Sequence, residues 1–259
     1  MKCKTVKALG FTTLLVATAN LCRADVTLFQ DNLESGNLDK WVGKSGAPHH
    51  GQIVADPLNP ANHVLTFTGV NSAGDLFSAT PLNVSRPRHY ILSFDFLGIP
   101  SAVENGGFIG IAPGPTSETQ PVWLGGTFGP GLTAPPSVAT TLVADGHWHH
   151  YEIDFTEVVE ANGLTETLLT LEDWFDRGSV PGDAFFDNLQ VVGVYDTSPI
   201  LAQTPCDGPA PGVKWKNHGS YVSAVSKVVE TYLDADIIVE EEADEIMAAA
   251  GASDCGKKK

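Results

Sequence analysis

Gly182–Val194, GDAFFDNLQVVGV, is the stretch on which the fold turns. Phe185, Leu189 and Val191 fall on one alternation, and Phe186, Asn188 and Gln190 on the other. A period of two with mixed apolar and polar sides is the mark of a half-buried strand. Asp187 sits among aromatics in that strand. Burying a carboxylate unpaired is costly, so Asp187 needs a fixed partner. The expected partner is a cation shared with Asp31–Trp41, DNLESGNLDKW. The two stretches read as the closing and opening strands of one β-sandwich.

The chain between them supports this. Tyr90–Leu97, YILSFDFL, places Tyr90, Leu92, Phe94 and Phe96 on one face. Trp148–Phe155 also alternates, with Trp148, His150, Glu152 and Asp154 on one side and His149, Tyr151, Ile153 and Phe155 on the other. Shorter strands are expected at Asp25–Gln30, Ile53–Ala55, His63–Thr68, Phe108–Ala112 and Thr165–Trp174. Asn71–Asp75 reads as a turn, and Pro113–Pro136 as a Gly- and Pro-rich excursion. Strands at this spacing, without helical periodicity, predict a mainly β protein, an antiparallel jelly-roll sandwich over 25–195.

Composition changes at Asp196. Residues 196–213 are Pro-rich and aperiodic, and read as a linker. In 214–259, Tyr221, Val222, Val225, Val228, Val229 and Tyr232 recur at helical spacing, and Glu240–Ala250 follows as a second helix. Glu240–Glu242 in its first turn suit the helix dipole. The result is a small two-helix domain.

The N-terminus has the order of a secretory signal peptide over 1–24: Lys2, Lys4 and Lys7, then the apolar run Ala8–Ala17, then small and polar residues. That run is too short to span a membrane, so no transmembrane segment is expected. Cleavage after Ala24 would remove Lys2, Lys4, Lys7 and Arg23 and take the net charge from −16 to −20. Such a chain repels phosphate, which excludes a nucleic-acid partner. Cys3 and Cys22 would leave with the signal, and Cys206 and Cys255 remain as an even pair in an exported chain. A disulfide between them is expected. The rival reading makes Cys22 a lipidated N-terminus, against which Leu21 is a poor fit.

Several residues invite chemistry. Glu152, Asp154 and Glu157 match the ExDxxE pattern of laminarinase-type glycoside hydrolases, which implies a nucleophile, a tuning acid and an acid/base on one strand. The Trp-Pro pair and preceding Gly of that motif are missing, and a solvent-facing strand accounts for the same acids. Asp31, Asn32, Glu34, the Gly36 carbonyl and Asp187 offer oxygen ligands for calcium. The alternative is that they are turn residues and hydrogen-bond acceptors. His147 and His149 share a strand face, but no third metal ligand is evident. Among the tryptophans, Trp123 and Trp174 lie in Gly- or acid-rich loops and are the expected stacking platforms for sugar rings. Trp41 and Trp148 are equally well explained as core. There is no GxSxG, no phosphate-cradling Gly-rich loop and no CxxC.

On these residues the sandwich resembles the jelly-roll domains of secreted bacterial proteins, of the galactose-binding-like or concanavalin-like kind. The motifs DNLESGNLDKW, VADPLNPANHVLTFTG, YILSFDFLG, GFIGIAPG with WLGGT, DGHWHHYEIDF, LEDW and GDAFFDNLQV carry the resemblance. It implies calcium ligands at Glu34 and Asp187. The tail, from WKNHGSYVSAV to SDCG, is similar to a small cysteine-closed helical domain of exported bacterial proteins. The expected function is a non-catalytic, calcium-stabilised binder of glycan or cell-surface polymer, secreted, periplasmic or on the cell surface. The alternatives are a glycoside hydrolase and a structural surface protein docked through its helical tail.

Overall fold

The computed structural model describes residues 23–44, 50–67, 76–86, 88–100, 107–115, 121–127, 138–173 and 183–257. The signal-peptide expectation, Cys3, Cys22, Trp174, the turn Asn71–Asp75 and most of Pro113–Pro136 lie outside them. In chain order the strands are β1 (Arg23–Asp31), β2 (Trp41–Gly43), β3 (Gly51–Ala55), β4 (His63–Phe67), β5 (Leu76–Ser78), β6 (Leu82–Asn83) and β7 (His89–Gly98). They continue with β8 (Gly107–Ala112), β9 (Val122–Gly126), β10 (Thr140–Thr141), β11 (Trp148–Asp154), β12 (Glu166–Asp173) and β13 (Ala184–Asp196).

Two sheets result. The first runs β11-β7-β13-β4-β3, with β1 also on β13, and the second runs β10-β9-β8-β12-β5-β2, with β6 on β12. β7 with β11, β8 with β12, β3 with β4 and β8 with β9 pair antiparallel, and β9 with β10 pairs parallel. Tyr90, Leu92, Phe94 and Phe96 all point inward from β7, as their spacing predicts. They share one core with Ile109, Ile111, Leu124, Leu169 and Leu171 of the second sheet. A single core fed by facing sheets makes this a β-sandwich.

One element was not expected. β11 stops at Asp154, and the chain turns into helix α1 (Thr156–Asn162). Asp154 Oδ1 accepts from the Thr156 amide at 3.0 Å and its hydroxyl at 2.5 Å, which fixes the turn. Phe155 and Val159 are buried in the core, and Gly163, at φ +59°, ends the helix in the left-handed region.

Among the described residues the compact units are 27–193 and, separately, 194–257 with 23–26. The second is helical, with α2 (Ser198–Gln203), α3 (His218–Asp234) and α4 (Glu240–Ala252). The stretch 196–213 is therefore not a plain linker. Proline at the start of α2 is compatible with a first helical turn, where its missing N–H has no helical partner. Ile200 is fully buried in one core with Tyr195, Tyr221, Val225, Val229 and Ile246. Asp25 N donates to Glu245 Oε2 at 3.2 Å within this unit. Cys206 and Cys255 are bonded, with Cα atoms 4.8 Å apart. No described helix is long and apolar enough to cross a membrane.

Candidate functional site

The alternation read in Gly182–Val194 breaks where the site is built. Phe186, Leu189 and Val191 face the main core, whereas Phe185 belongs to a separate cluster with Val64 and Leu97. Sequence had paired Phe185 with Leu189. An extra residue at Asp187–Asn188 resets the period, and Asn188 sits at φ +50°. This is the behaviour of a β-bulge, and Asn is one of the few residues that tolerates the left-handed region.

The bulge turns two neighbouring side chains into one polar network. Asn188 Nδ2 donates to Asp95 Oδ2 at 2.7 Å, and Asp95 Oδ1 lies 2.7 Å from His150 Nδ1. His150 and Asp95 are direct cross-strand partners on β11 and β7. Asp187 Oδ2 accepts from Asn62 Nδ2 at 2.9 Å. The same amide nitrogen is 3.4 Å from Asp56 Oδ2, and Trp148 Nε1 donates to Asp56 at 3.2 Å. These residues lie on the face of the first sheet opposite the core. Half-buried Trp148, Val54 and Ile99 pack there on Val64, Leu97 and Phe185.

Trp148 and Asp56 come from opposite edges of that sheet. Four strand spacings amount to about 19 Å, too far for an indole to reach across a flat sheet. The Asp56–Asn62 turn has to lean over the face, or the sheet has to curl. The turn is fixed by the Asp56 amide on the Asn62 carbonyl at 2.9 Å and by the Leu58 amide on Asp56 Oδ1 at 2.8 Å. It leaves Leu58 exposed beside the network.

Burial pushes the Asp187 carboxyl up. The charges of Asp95 and Glu34 add to this, and the bonds from Asn62 and the Asn188 amide oppose it. Glu34 is held down by the His63 amide, at 3.1 Å, and by its ring. Glu34 and Asp187 thus feel each other across the start of β4. Asp31 is committed elsewhere. Its Oδ2 accepts from Trp41 Nε1 at 2.9 Å and its Oδ1 from the Leu33 amide at 3.1 Å, with Lys40 Nζ 3.6 Å away. Asn32 is exposed, and Gly36 is a turn residue at φ +70° whose amide donates to the Leu33 carbonyl. Among the described residues, no three carboxylate, imidazole or thiol groups converge as a metal ion requires. Glu34 and Asp187 have the oxygen chemistry a hard cation takes; Asn62 turns its amide nitrogen to Asp187, and Asp31 is already satisfied.

The ExDxxE residues do not share a strand. Glu152 and Asp154 are exposed on β11, and Glu157 stands in the first turn of α1. Burial pushes Asp154 up, but Thr156 and His89 outweigh it and hold the carboxyl below its ordinary value. Trp123 is not in a loop. It lies on β9, is 6% exposed and packs its ring against Phe108 at 5.5 Å. Sequence reasoning missed Trp148, Asp56, Asn62, Asp95, His150 and Asn188 as a group. His150 and Trp148 were legible as neighbours on one strand side, but the bulge and the leaning turn have no periodic signal.

Asn188→Val and Asn188→Gly both lose the bond to Asp95, but Asn188→Val should be less stable than Asn188→Gly by about 1–2 kcal/mol, because a β-branched residue resists positive φ. Thermal unfolding of the two variants checks this.

No protein-family model matches the chain, and no curated protein matches it. Among solved structures the similarities are weak. The tandem CBM22-1–CBM22-2 domain of Paenibacillus barcinonensis Xyn10C is 13% identical with a TM-score of 0.40, over 64% of this chain and 50% of that one. The chain therefore spans half the length of that structure. The CBM22-1 xylan-binding domain of the same protein is 14% identical with a TM-score of 0.39, over 66% and 96%. The K2 cleaved adhesin domain of Lys-gingipain is 11% identical with a TM-score of 0.38, over 66% and 99%.

Proposed function

We propose that the protein is an exported, non-catalytic, calcium-stabilised β-sandwich that holds a glycan or cell-surface polymer against the outer face of its first sheet. The observation that carries this reading is the β13 bulge. It commits Asp187 and Asn188 together to a network that also takes Asp95, His150, Asn62, Asp56 and Trp148. Fixed carboxylates and amides beside an aromatic ring and an exposed Leu58 are the groups that read a polyhydroxylated surface. The acid excess disfavours polyanions and favours neutral or amine-bearing polymers. An exported chain is consistent with the bonded Cys206 and Cys255. Separation of Glu157 from the strand of Glu152 and Asp154 removes the support for a hydrolase on that motif. Retention of the protein in native gels cast with neutral, aminated and anionic polysaccharides tests the reading. Slowed migration on a neutral or aminated polymer supports it. Unchanged migration in every gel leaves the structural surface-protein reading instead.

Calcium enters through Glu34 and Asp187. A cation there would offset the burial that, with the added charges of Asp95 and Glu34, pushes Asp187 up. Calcium at about 100 times its dissociation constant should stabilise the fold by about 2.7 kcal/mol relative to chelator. Asp187→Ala should abolish the shift, as read by thermal unfolding.

A further inference from the structure

The outer face of the first sheet turns its hydrogen-bond donors inward. A carboxylate only accepts, so each amide that meets one must present its nitrogen. Asn62 gives Nδ2 to Asp187, Asn188 gives Nδ2 to Asp95, and Trp148 gives Nε1 to Asp56. The ring of His150 is already on Asp95. The carbonyl oxygens of both amides and the spare lone pairs of the carboxylates are what remain for a ligand. Strands β3, β4, β7, β11 and β13 contain no lysine or arginine. Glu152 and Asp154 add exposed carboxylates on β11. A ligand on this face therefore has to supply the N–H groups, and positive charge on them is an advantage.

One acid on this face has nothing to accept. Asp183 is 5% exposed, and among the described residues neither of its carboxylate oxygens has a partner. The Ile99 amide donates to the Asp183 carbonyl at 2.7 Å, which carries the ladder between β7 and β13 to this residue. Ala184 and Phe186 face the core. Successive side chains along an extended chain alternate, so Asp183 falls on the outer side with Phe185. Ile99 and Trp148 pack on the Phe185 cluster there. A carboxylate buried without a partner opposes folding when ionised. Local costs of this kind concentrate at functional sites. We propose that Asp183 is the amine-binding acid of the outer face, and that the ligand it selects is an amine-bearing glycan rather than a neutral one. The role rests on that face being the polymer-binding surface. An ammonium group beside Asp183 gains more than it would at an exposed acid, because little water is there to screen the pair. It also brings the carboxylate the donors that the protein withholds.

The full chain is titrated by calorimetry at pH 7 with a soluble β-1,4-linked glucosamine hexasaccharide and with its N-acetylated form. Wild type should bind the glucosamine form at least about tenfold tighter. Asp183→Asn keeps the shape, should melt at or above the wild-type temperature at pH 8, and should lose that preference. Glu240→Gln removes the same charge from an exposed position in the helical unit and should leave both affinities at wild-type values. That control separates recognition from general attraction to an acidic chain. A preference that survives in Asp183→Asn overturns the proposal. So does equal or tighter binding of the N-acetylated form, which leaves the outer face as a binder of neutral polymer. Binding of neither hexasaccharide overturns it as well, and the polymer-binding role of the face falls with it only if migration in every polysaccharide gel is also unchanged. A calcium-dependent rise in melting temperature that is lost in Asp183→Asn makes Asp183 a metal ligand and overturns the proposal too.

Discussion

Asp183→Asn should make the protein more stable than wild type at pH 8, by roughly 1–4 kcal/mol, and should remove a stability slope between about pH 4 and pH 7. Asp183 immediately precedes β13, is 5% exposed, and among the described residues neither of its carboxylate oxygens has a hydrogen-bond partner. Burial pushes its pKa from 3.8 up to about 7. The native state therefore holds this proton more tightly than the unfolded chain. Its favourable contribution is complete below the unfolded value and is lost as pH rises through about 7. Asparagine keeps the shape and cannot ionise. The lower bound allows for water reaching the site, which reduces the cost of the charge. Glu34, Asp145 and Asp154, whose carboxyls are held down by hydrogen bonds and histidines, act with the opposite sign and lose their contribution on acidification. The wild-type-minus-variant difference across a pH series of denaturant melts isolates Asp183. Equal stability at pH 8 would mean that its charge is compensated.

Reduction of the Cys206–Cys255 bond should destabilise the helical unit by about 4 kcal/mol, the chain-entropy cost of freeing a loop of this length. Its core is small, centred on Tyr195, Ile200, Tyr221, Val225, Val229, Ile238 and Ile246, with partly buried side chains such as Trp215 and Tyr232 around it. Few short helices stay folded on so little apolar surface without a covalent tie. The sandwich core draws on none of these residues. Under reductant the 222 nm transition should fall to lower temperature, or vanish at ambient temperature, while the sandwich transition stays in place. Unchanged helix melting would mean that packing alone holds the unit.

What the sequence made legible is what obeys a period. Tyr90, Leu92, Phe94 and Phe96 alternate without interruption, and all four are buried as that alternation requires. Tyr221, Val225 and Val229 did the same for α3. The site escaped because it rests on departures from period. Asn188 adds a residue to β13, so a strict alternation assigns Phe185 to the wrong side. The network also depends on a turn, Asp56–Asn62, meeting a strand far away in sequence, at Trp148. The α1 helix was hidden for a third reason. Thr156–Asn162 is only seven residues long, and Asp154 and Gly163 define it more than any apolar repeat does. The Pro-rich stretch before Val213 looked like a linker because two turns of α2 leave no periodic trace, yet Ile200 anchors it.

The measurement that tests the central claim most directly compares wild type with Asp95→Ala on a retained neutral or aminated polysaccharide, with melting temperatures taken alongside. Asp95 joins the His150 and Asn188 arms of the network and is partly exposed. If the outer face of the first sheet holds the polymer, retention should fall at least about tenfold, equivalent to about 1.4 kcal/mol, while the fold still melts cooperatively near the wild-type temperature. Full retention in Asp95→Ala would contradict the claim and move the binding surface elsewhere on the protein.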